Sequence, residues 1–436
     1  MQYLPNIIFA IILAIAIIFF VKNIKKLIRN TKLGKSIDRS DNQSLRWKNM
    51  IDIALGQSKM VRRPISGFLH VIVYVGFIII NIEVLEIIID GLFGTHRIFM
   101  NYLGKSFYGF LIGSFEILAL LVFIAVIIFW VRRNVIKVKR FLNKEMKGWP
   151  KNDGNFILYF EMVLMTLFLV MNATDTHFQE AGVGNVISQY ITPIFASLGE
   201  NSIHLIERSA WWLHIIGILV FLNYLYYSKH LHILLAFPNT YYANLKPKGQ
   251  FNNLESVTKE VKLMLDPNAD PFAAPAEAET EEVPEKFGAE DITDLNWVQL
   301  LNAYTCTECG RCTSVCPANL TGKELSPRAI MMKTRDRVEE VGRNIDKNGK
   351  FVPDGKTLLD TISAEELWAC TSCNACVEEC PVNIDPLSII TDMRRYQIME
   401  KSAASQELNM MMTNIENNGA PWQYNQMDRL NWKDEE

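Results

Sequence analysis

"CTECGRCTSVCP", residues 306–317, and "CTSCNACVEECP", residues 370–381, repeat one pattern, C-x2-C-x2-C-x3-C followed by proline. All eight cysteines of the 436-residue chain lie in these two runs. Thiolates so spaced read as metal ligands rather than disulfides, and they point to a reducing compartment. Structural zinc takes two pairs of cysteines, not two quartets each closed by proline. The pattern is that of bacterial [4Fe–4S] sites, where three close cysteines wrap three corners of a cubane and the fourth reaches the other cluster. The expectation is one cluster on Cys306, Cys309, Cys312 and Cys380, and a second on Cys370, Cys373, Cys376 and Cys316.

Around the motifs the pattern is helical. Ser326 is a natural N-cap with Pro327 in the first turn, residues 347–356 read as a loop, and Ser363 with Glu366 has capping-box spacing. A mainly α-helical cluster domain is expected over 292–400. Residues 401–436 form a tail whose Trp422 and Trp432 offer a docking surface. Upstream, 246–291 reads as a linker. Its stretch 266–291 is rich in Pro, Ala and acid, with no apolar period to support a core. The piece "NLESVTKEVKLML" before it has the pattern of an amphipathic surface helix.

Residues 1–245 are of another kind. Mean hydropathy over the whole chain is only +0.09, yet five runs here are apolar and long enough to cross a bilayer: 6–21, 68–89, 109–131, 156–171 and 211–235. The first lacks a basic start and a small-residue cleavage site, so it reads as a retained helix. Lys and Arg number 12 from Lys22 to Arg63 and 8 from Arg132 to Lys151, against Arg97, Lys105 and Arg208 in the other two loops. By the positive-inside rule the first two loops are cytoplasmic, as is the cluster half, with the N-terminus outside the inner membrane. This agrees with reduced cysteines. The net charge of −3, without a basic cluster near aromatics in the soluble half, gives no reason to expect nucleic acid as a partner. Membrane lipid is the expected surrounding.

Histidines stand out in so apolar a half. As one unbroken helix, 211–235 places His214 and His232 on one face, about 27 Å apart, because 18 residues make five turns. His230 points about 160° away and reads as an ordinary polar group at a helix end. His70 begins the second span at the depth of His232, and the two together would supply both axial ligands of a haem. Glu83, Glu86 and Glu116 fall in the outer part of the membrane, where ionisable groups are expensive. They fit either a quinol site, with carboxylates taking the released protons, or hydrogen-bonded positions near the interface. Asn81, Trp211 and Trp212 read as packing and interface anchors.

The last span, with "LHI" at its cytoplasmic end, resembles the last helix of the respiratory nitrate reductase gamma subunit family, a five-helix b-type cytochrome. That likeness implies His214 and His232 as haem ligands, and His70, in "FLHVIVYVGF", matches the first ligand of the family's second helix. The second would fall at Ile80, which cannot bind iron. His96, His177 and His204 lie on the outer side as possible substitutes, so one or two b-type haems are implied. The stretch 292–396, with "LSPRAI", "LWAC" and "DMRR" around the motifs, resembles the C subunit of heterodisulfide reductase and the iron–sulfur subunit of anaerobic glycerol-3-phosphate dehydrogenase. Members of that group exchange electrons with a protein bearing cysteine-rich CCG sequences. None is present here, which implies a separate redox partner.

The sequence thus describes a mainly α protein: a five-helix membrane bundle joined to a cytoplasmic, all-α dicluster domain. Its expected role is electron transfer between the quinone pool, b haem, two clusters and a soluble partner. The alternative is a membrane anchor for an iron–sulfur protein, without haem or quinone chemistry.

Overall fold

The computed structural model describes residues 3–267 and 286–434. Five helices form the membrane half: α1 (Leu4–Thr31), α2 (Pro64–Phe93), α3 (Lys105–Asn134), α4 (Trp149–Thr174) and α5 (Glu200–Tyr224). Each contains a window apolar enough to cross a membrane. Neighbours in sequence pack side by side, and α5 returns to α1 to close the ring. No strand occurs among the described residues; the one pairing of that kind is an isolated parallel bridge between Lys35 and Asn296.

The helices outrun their apolar windows. At 1.5 Å per residue α1 is about 42 Å long, more than the hydrocarbon thickness. Its last turns leave the bundle and pack on the cluster domain. There Asn30 donates to the Tyr304 hydroxyl at 2.9 Å, while Lys26 and Arg29 grip Asp346 at 2.6 and 2.5 Å. Gly342 makes this contact possible, since a Cβ at that position would strike Asn30. The core continues across the junction: Leu27, Leu231, Leu235 and Ala236 of the membrane half pack with Leu300, Leu301 and Tyr304. Each such leucine taken out of water contributes about 2 kcal/mol.

The fifth span corrects an expectation. It is not one helix. After Tyr224 the chain tightens into a 3-10 turn, Leu225–Tyr227, and Ser228 is extended (φ −113°, ψ 152°). A second 3-10 turn follows before α6 (His232–Tyr241) begins. The Ser228 hydroxyl captures the His230 N–H at 3.1 Å, and Asp153 takes that of Lys229 at 3.1 Å. Local polar capture replaces the helical ladder, so the five-turn register between His214 and His232 does not exist.

The cluster domain is helical, as expected. A capping box on Asn296 starts α8 (Trp297–Thr305), which ends where Cys306 begins the first motif; α7 (Glu255–Leu265) lies exposed before it. The first motif runs into α9 (Arg311–Val315), and α10 (Pro327–Asn348) follows with Ser326 as its cap. The capping box of Ser363 and Glu366 is formed. The second motif runs into α11 (Ala375–Glu379), followed by α12 (Pro386–Met399). Most of the acidic linker lies outside the described residues. Its end is a correction: the domain begins earlier than 292, because Ala289 is buried with its N–H on the Asp392 carbonyl, and Asp291 pairs with Arg337 at 2.8 Å. In the tail, α13 (Gln406–Asn418) is followed by residues that leave Trp422 and Trp432 exposed.

Candidate redox centres

The two motifs have the same backbone. Glu308 and Gly310 in the first, and Ser372 and Asn374 in the second, all have positive φ, from 53° to 69°. Successive turns of this kind aim N–H groups into a concavity, a geometry common at iron–sulfur sites. The Ser372 N–H reaches Cys370 Sγ at 3.4 Å and the Ile384 N–H reaches Cys380 Sγ at 3.3 Å. Helices α9 and α11 pack on each other and draw the motifs together.

The thiols sort into two neighbourhoods. Burial, then Cys309, Cys306 and Cys380, push Cys312 up, with Cys376 of the other group weakest. Burial and then Cys370 and Cys373 raise Cys316. Cys376 has Cys370 and Cys316 near it, and Cys380 has Cys309. Cys380 thus lies near Cys309 and Cys312, and Cys316 near Cys370, Cys373 and Cys376. Burial pushes the Cys306 thiol up to about 12 and Cys380 up to about 11, so metal loading must drive protons off. Among the described residues no three His, Cys, Asp or Glu groups converge on a single ion.

The loops are housed differently. Around the first, Arg311 donates to the Lys59 and Met60 carbonyls at 3.1 and 3.0 Å; Arg63 bridges both loops, donating to Ser314 of the first at 3.0 Å and pairing with Glu379 of the second at 2.6 Å. Arg328, fully buried, holds Glu145 at 2.7 Å and the Arg140 carbonyl at 2.8 Å. Both lysine- and arginine-rich loops thus lie at the end of the bundle that carries the cluster domain. Cys373 of the second loop is exposed.

His70 and His232 meet at that same end, with ring centres 6.4 Å apart. Two imidazoles on one metal, at about 2 Å per bond, stand about 6 Å apart. His232 Nδ1 donates to the Lys229 carbonyl at 2.8 Å, which leaves Nε2 free, as ligating histidines are commonly held. His70 Nδ1 is buried without a partner. These residues fit an axial pair. His230, which the sequence presents as an ordinary polar group, belongs here too: its ring is 5.6 Å from that of His232, and its Nδ1 is also an orphan. Its "HLH" spacing of two signals opposite faces only in a regular helix, and the 3-10 turn removes that condition.

His214 stands apart. Its Nδ1 bonds the Leu164 carbonyl at 3.1 Å, and its ring neighbour is Phe168 at 5.9 Å. His96 pairs with His177 at 6.1 Å and with Asp175 at 3.1 Å, and His204 lies 3.8 Å from Glu207. These outer histidines have neighbours other than His214.

The carboxylates divide. Glu83 and Glu86 line a cavity of about 320 Å³ at the end of the bundle away from the cluster domain, with His96, Asp175, Trp211 and Trp212. Glu83 is 2% exposed and its Oε2 has no partner. Glu86 accepts from the Tyr108 hydroxyl at 2.9 Å and the Phe99 N–H at 2.8 Å. Glu116 is otherwise employed: it accepts from Asn172 and from the Ile187 and Ser188 N–H groups at 2.7–3.1 Å. Trp211 and Trp212 pack on Phe9.

Fold and motifs define a membrane protein with an iron–sulfur domain, and residues 305–384 match the 4Fe-4S dicluster domain family. The chain is 30% identical to a "Probable iron-sulfur-binding oxidoreductase" of Bacillus subtilis, over 98% of its own length and 60% of the relative's. It is 25% identical to an "EtfAB:quinone oxidoreductase" of Syntrophomonas wolfei, over 92% and 55%. A protein of Archaeoglobus profundus named for its likeness to the C subunit of heterodisulfide reductase is 31% identical over 30% of this chain and 57% of its own, in agreement with the resemblance read from the motifs. The chain therefore spans little more than half the length of the first two relatives. No solved structure matches.

Proposed function

We propose that the chain is the membrane electron-transfer component of an oxidoreductase, linking a quinone in the bilayer to a separate, CCG-type redox protein through a b-type haem and two [4Fe–4S] clusters. The quinone is supported by the name of the Syntrophomonas relative. The haem is supported by the His70–His232 pair and by the likeness to the nitrate reductase gamma subunit. The basic loops beneath the cluster domain support its cytoplasmic placement.

Each bound group supplies a one-electron carrier. The protein's own residues do the rest. His70 and His232 hold the haem, and the Lys229 carbonyl fixes the His232 tautomer. Cys306, Cys309, Cys312 and Cys380 hold the cluster nearer the membrane; Cys370, Cys373, Cys376 and Cys316 hold the other, whose exposed Cys373 faces the partner. Glu83, whose Oε2 is unpaired in the outer cavity, accepts a proton from quinol, and Glu86 with Tyr108 keeps the cavity polar.

The observation that carries this reading is a direct structural link. The His70–His232 pair is tied through Lys229 to Glu308, the residue between Cys306 and Cys309, at 2.6 Å. The test is His232→Ala protein purified from native membranes. The reduced b-type absorbance should vanish, and quinol should no longer reduce the clusters, while acid-labile sulfide stays unchanged and iron falls only by the haem's share. A parent protein with no such absorbance would leave only the anchor reading.

A further inference from the structure

We propose that Lys229 and Glu308 form a charge-balanced strut, a pair of positioning residues that seats the first cysteine loop on the membrane half and sets how readily the cluster there takes an electron. This rests on the cluster assignment above.

The strut is buried. The Lys229 side chain is 10% exposed and that of Glu308 is 3%. The ammonium also donates to the Pro150 carbonyl at 2.7 Å and stands 3.7 Å from Asp153. The other Glu308 oxygen accepts from Arg335 at 2.9 Å. Lys229 and Arg335 thus face Glu308 and Asp153 across one desolvated site, with Asp336 beside Arg335 at 3.4 Å on its exposed side. Breaking such a set by removing one member leaves an uncompensated charge.

That charge would sit against the metal centre. Glu308 has a left-handed backbone (φ 53°), and its N–H bonds Cys306 Sγ. At the other end, the Lys229 carbonyl holds His232. The second loop has Ser372 at the matching position, which is uncharged. Local charge is among the determinants of cluster potential, so the strut acts most on the cluster nearest it.

The test is a redox titration followed by electron paramagnetic resonance on the full-length protein. Lys229→Met leaves a net negative site and lowers the potential of one cluster. Glu308→Gln leaves a net positive site and raises it. The double variant restores neutrality and returns the potential towards the parent value, and Lys229→Arg stays near it. The second cluster should shift in the same direction by a smaller amount. The b-type absorbance should persist in Lys229→Met, since a backbone carbonyl holds His232. Equal signs in the two single variants would overturn the proposal, as would an unmoved or lowered potential in Glu308→Gln alone. Should the parent protein lack iron and acid-labile sulfide, the cluster assignment itself fails, and that result is separate from the sign test.

Discussion

The first cysteine loop holds Glu308 and Gly310 at positive φ; the second holds Ser372 and Asn374 there. Each ends in Cys-Pro, and each leads by way of a short helix to a longer capped one. Around this shared backbone everything differs. Glu308, Arg311 and Arg328 bind the first loop to three membrane-side segments, with side chains nearly or fully buried. The second loop leaves Cys373 open, and its arginine, Arg394, is only partly buried, donating to the Leu367 and Cys370 carbonyls while stacking on Trp368. Duplicated chemistry has been placed asymmetrically. The first copy meets the membrane half through buried side chains, whereas the second meets it through more exposed pairs, Arg62 with Glu378 and Arg63 with Glu379, each at 2.6 Å, and leaves Cys373 exposed.

The strongest test of the comparison exchanges fourth ligands. Cys380→Ala belongs by sequence to the second loop but should empty the first. Iron should fall by half or more, and Cys306, Cys309 and Cys312 should be the first thiols alkylated. Cys316→Ala should expose Cys370, Cys373 and Cys376 instead. If each variant opened its own loop first, the crossed assignment would be wrong.

A smaller effect should separate the two arginines. Arg328→Met leaves Glu145 unpaired at a mostly covered site, which costs about 2–3 kcal/mol. Arg394→Met removes charged hydrogen bonds at a half-open site, for about 1.5 kcal/mol. Thermal unfolding in detergent should rank them in that order. Equal losses would mean that the first loop is held no more firmly than the second. Arg328→Met with Glu145→Met should recover much of the deficit, because no charge is left unpaired.

What the sequence discloses follows the range of each interaction. Cysteine spacing, apolar run length and the Ser326 and Ser363 caps are set within a few residues, and the structure agrees with them. The break falls at the polar run Ser228–Lys229–His230, but that run alone does not signal it; the Ser228 hydroxyl and the distant Asp153 favour the turn over helix. Lys229 and Glu308 are 79 residues apart, and no periodicity joins them. The early start of the cluster domain is equally invisible, because Asp291 finds its partner, Arg337, 46 residues on. His230 escapes for the same reason as the helix break: its direction follows from a ladder that is not there.

The smallest expected effect concerns the segment between the loops. Arg337 on α10 clamps Asp354 at 2.7 Å as well as Asp291, and its hydrogen bond holds the Asp354 carboxyl down at about 2. An unfolded aspartate titrates near 3.9. The folded value is the lower one, so the clamp contributes fully above about pH 4 and is lost as the pH falls towards 2. The side chain is a quarter exposed, which limits the contribution to about 1–2 kcal/mol. Asp354→Asn should lower the thermal midpoint slightly at pH 6 and make it less sensitive to acid between pH 4 and 2.5. Identical acid profiles for variant and parent would show that the clamp adds nothing and that the loops keep their spacing through the helix core alone. A flatter profile would place part of the domain's acid sensitivity in the strip that separates the membrane-facing loop from the open one.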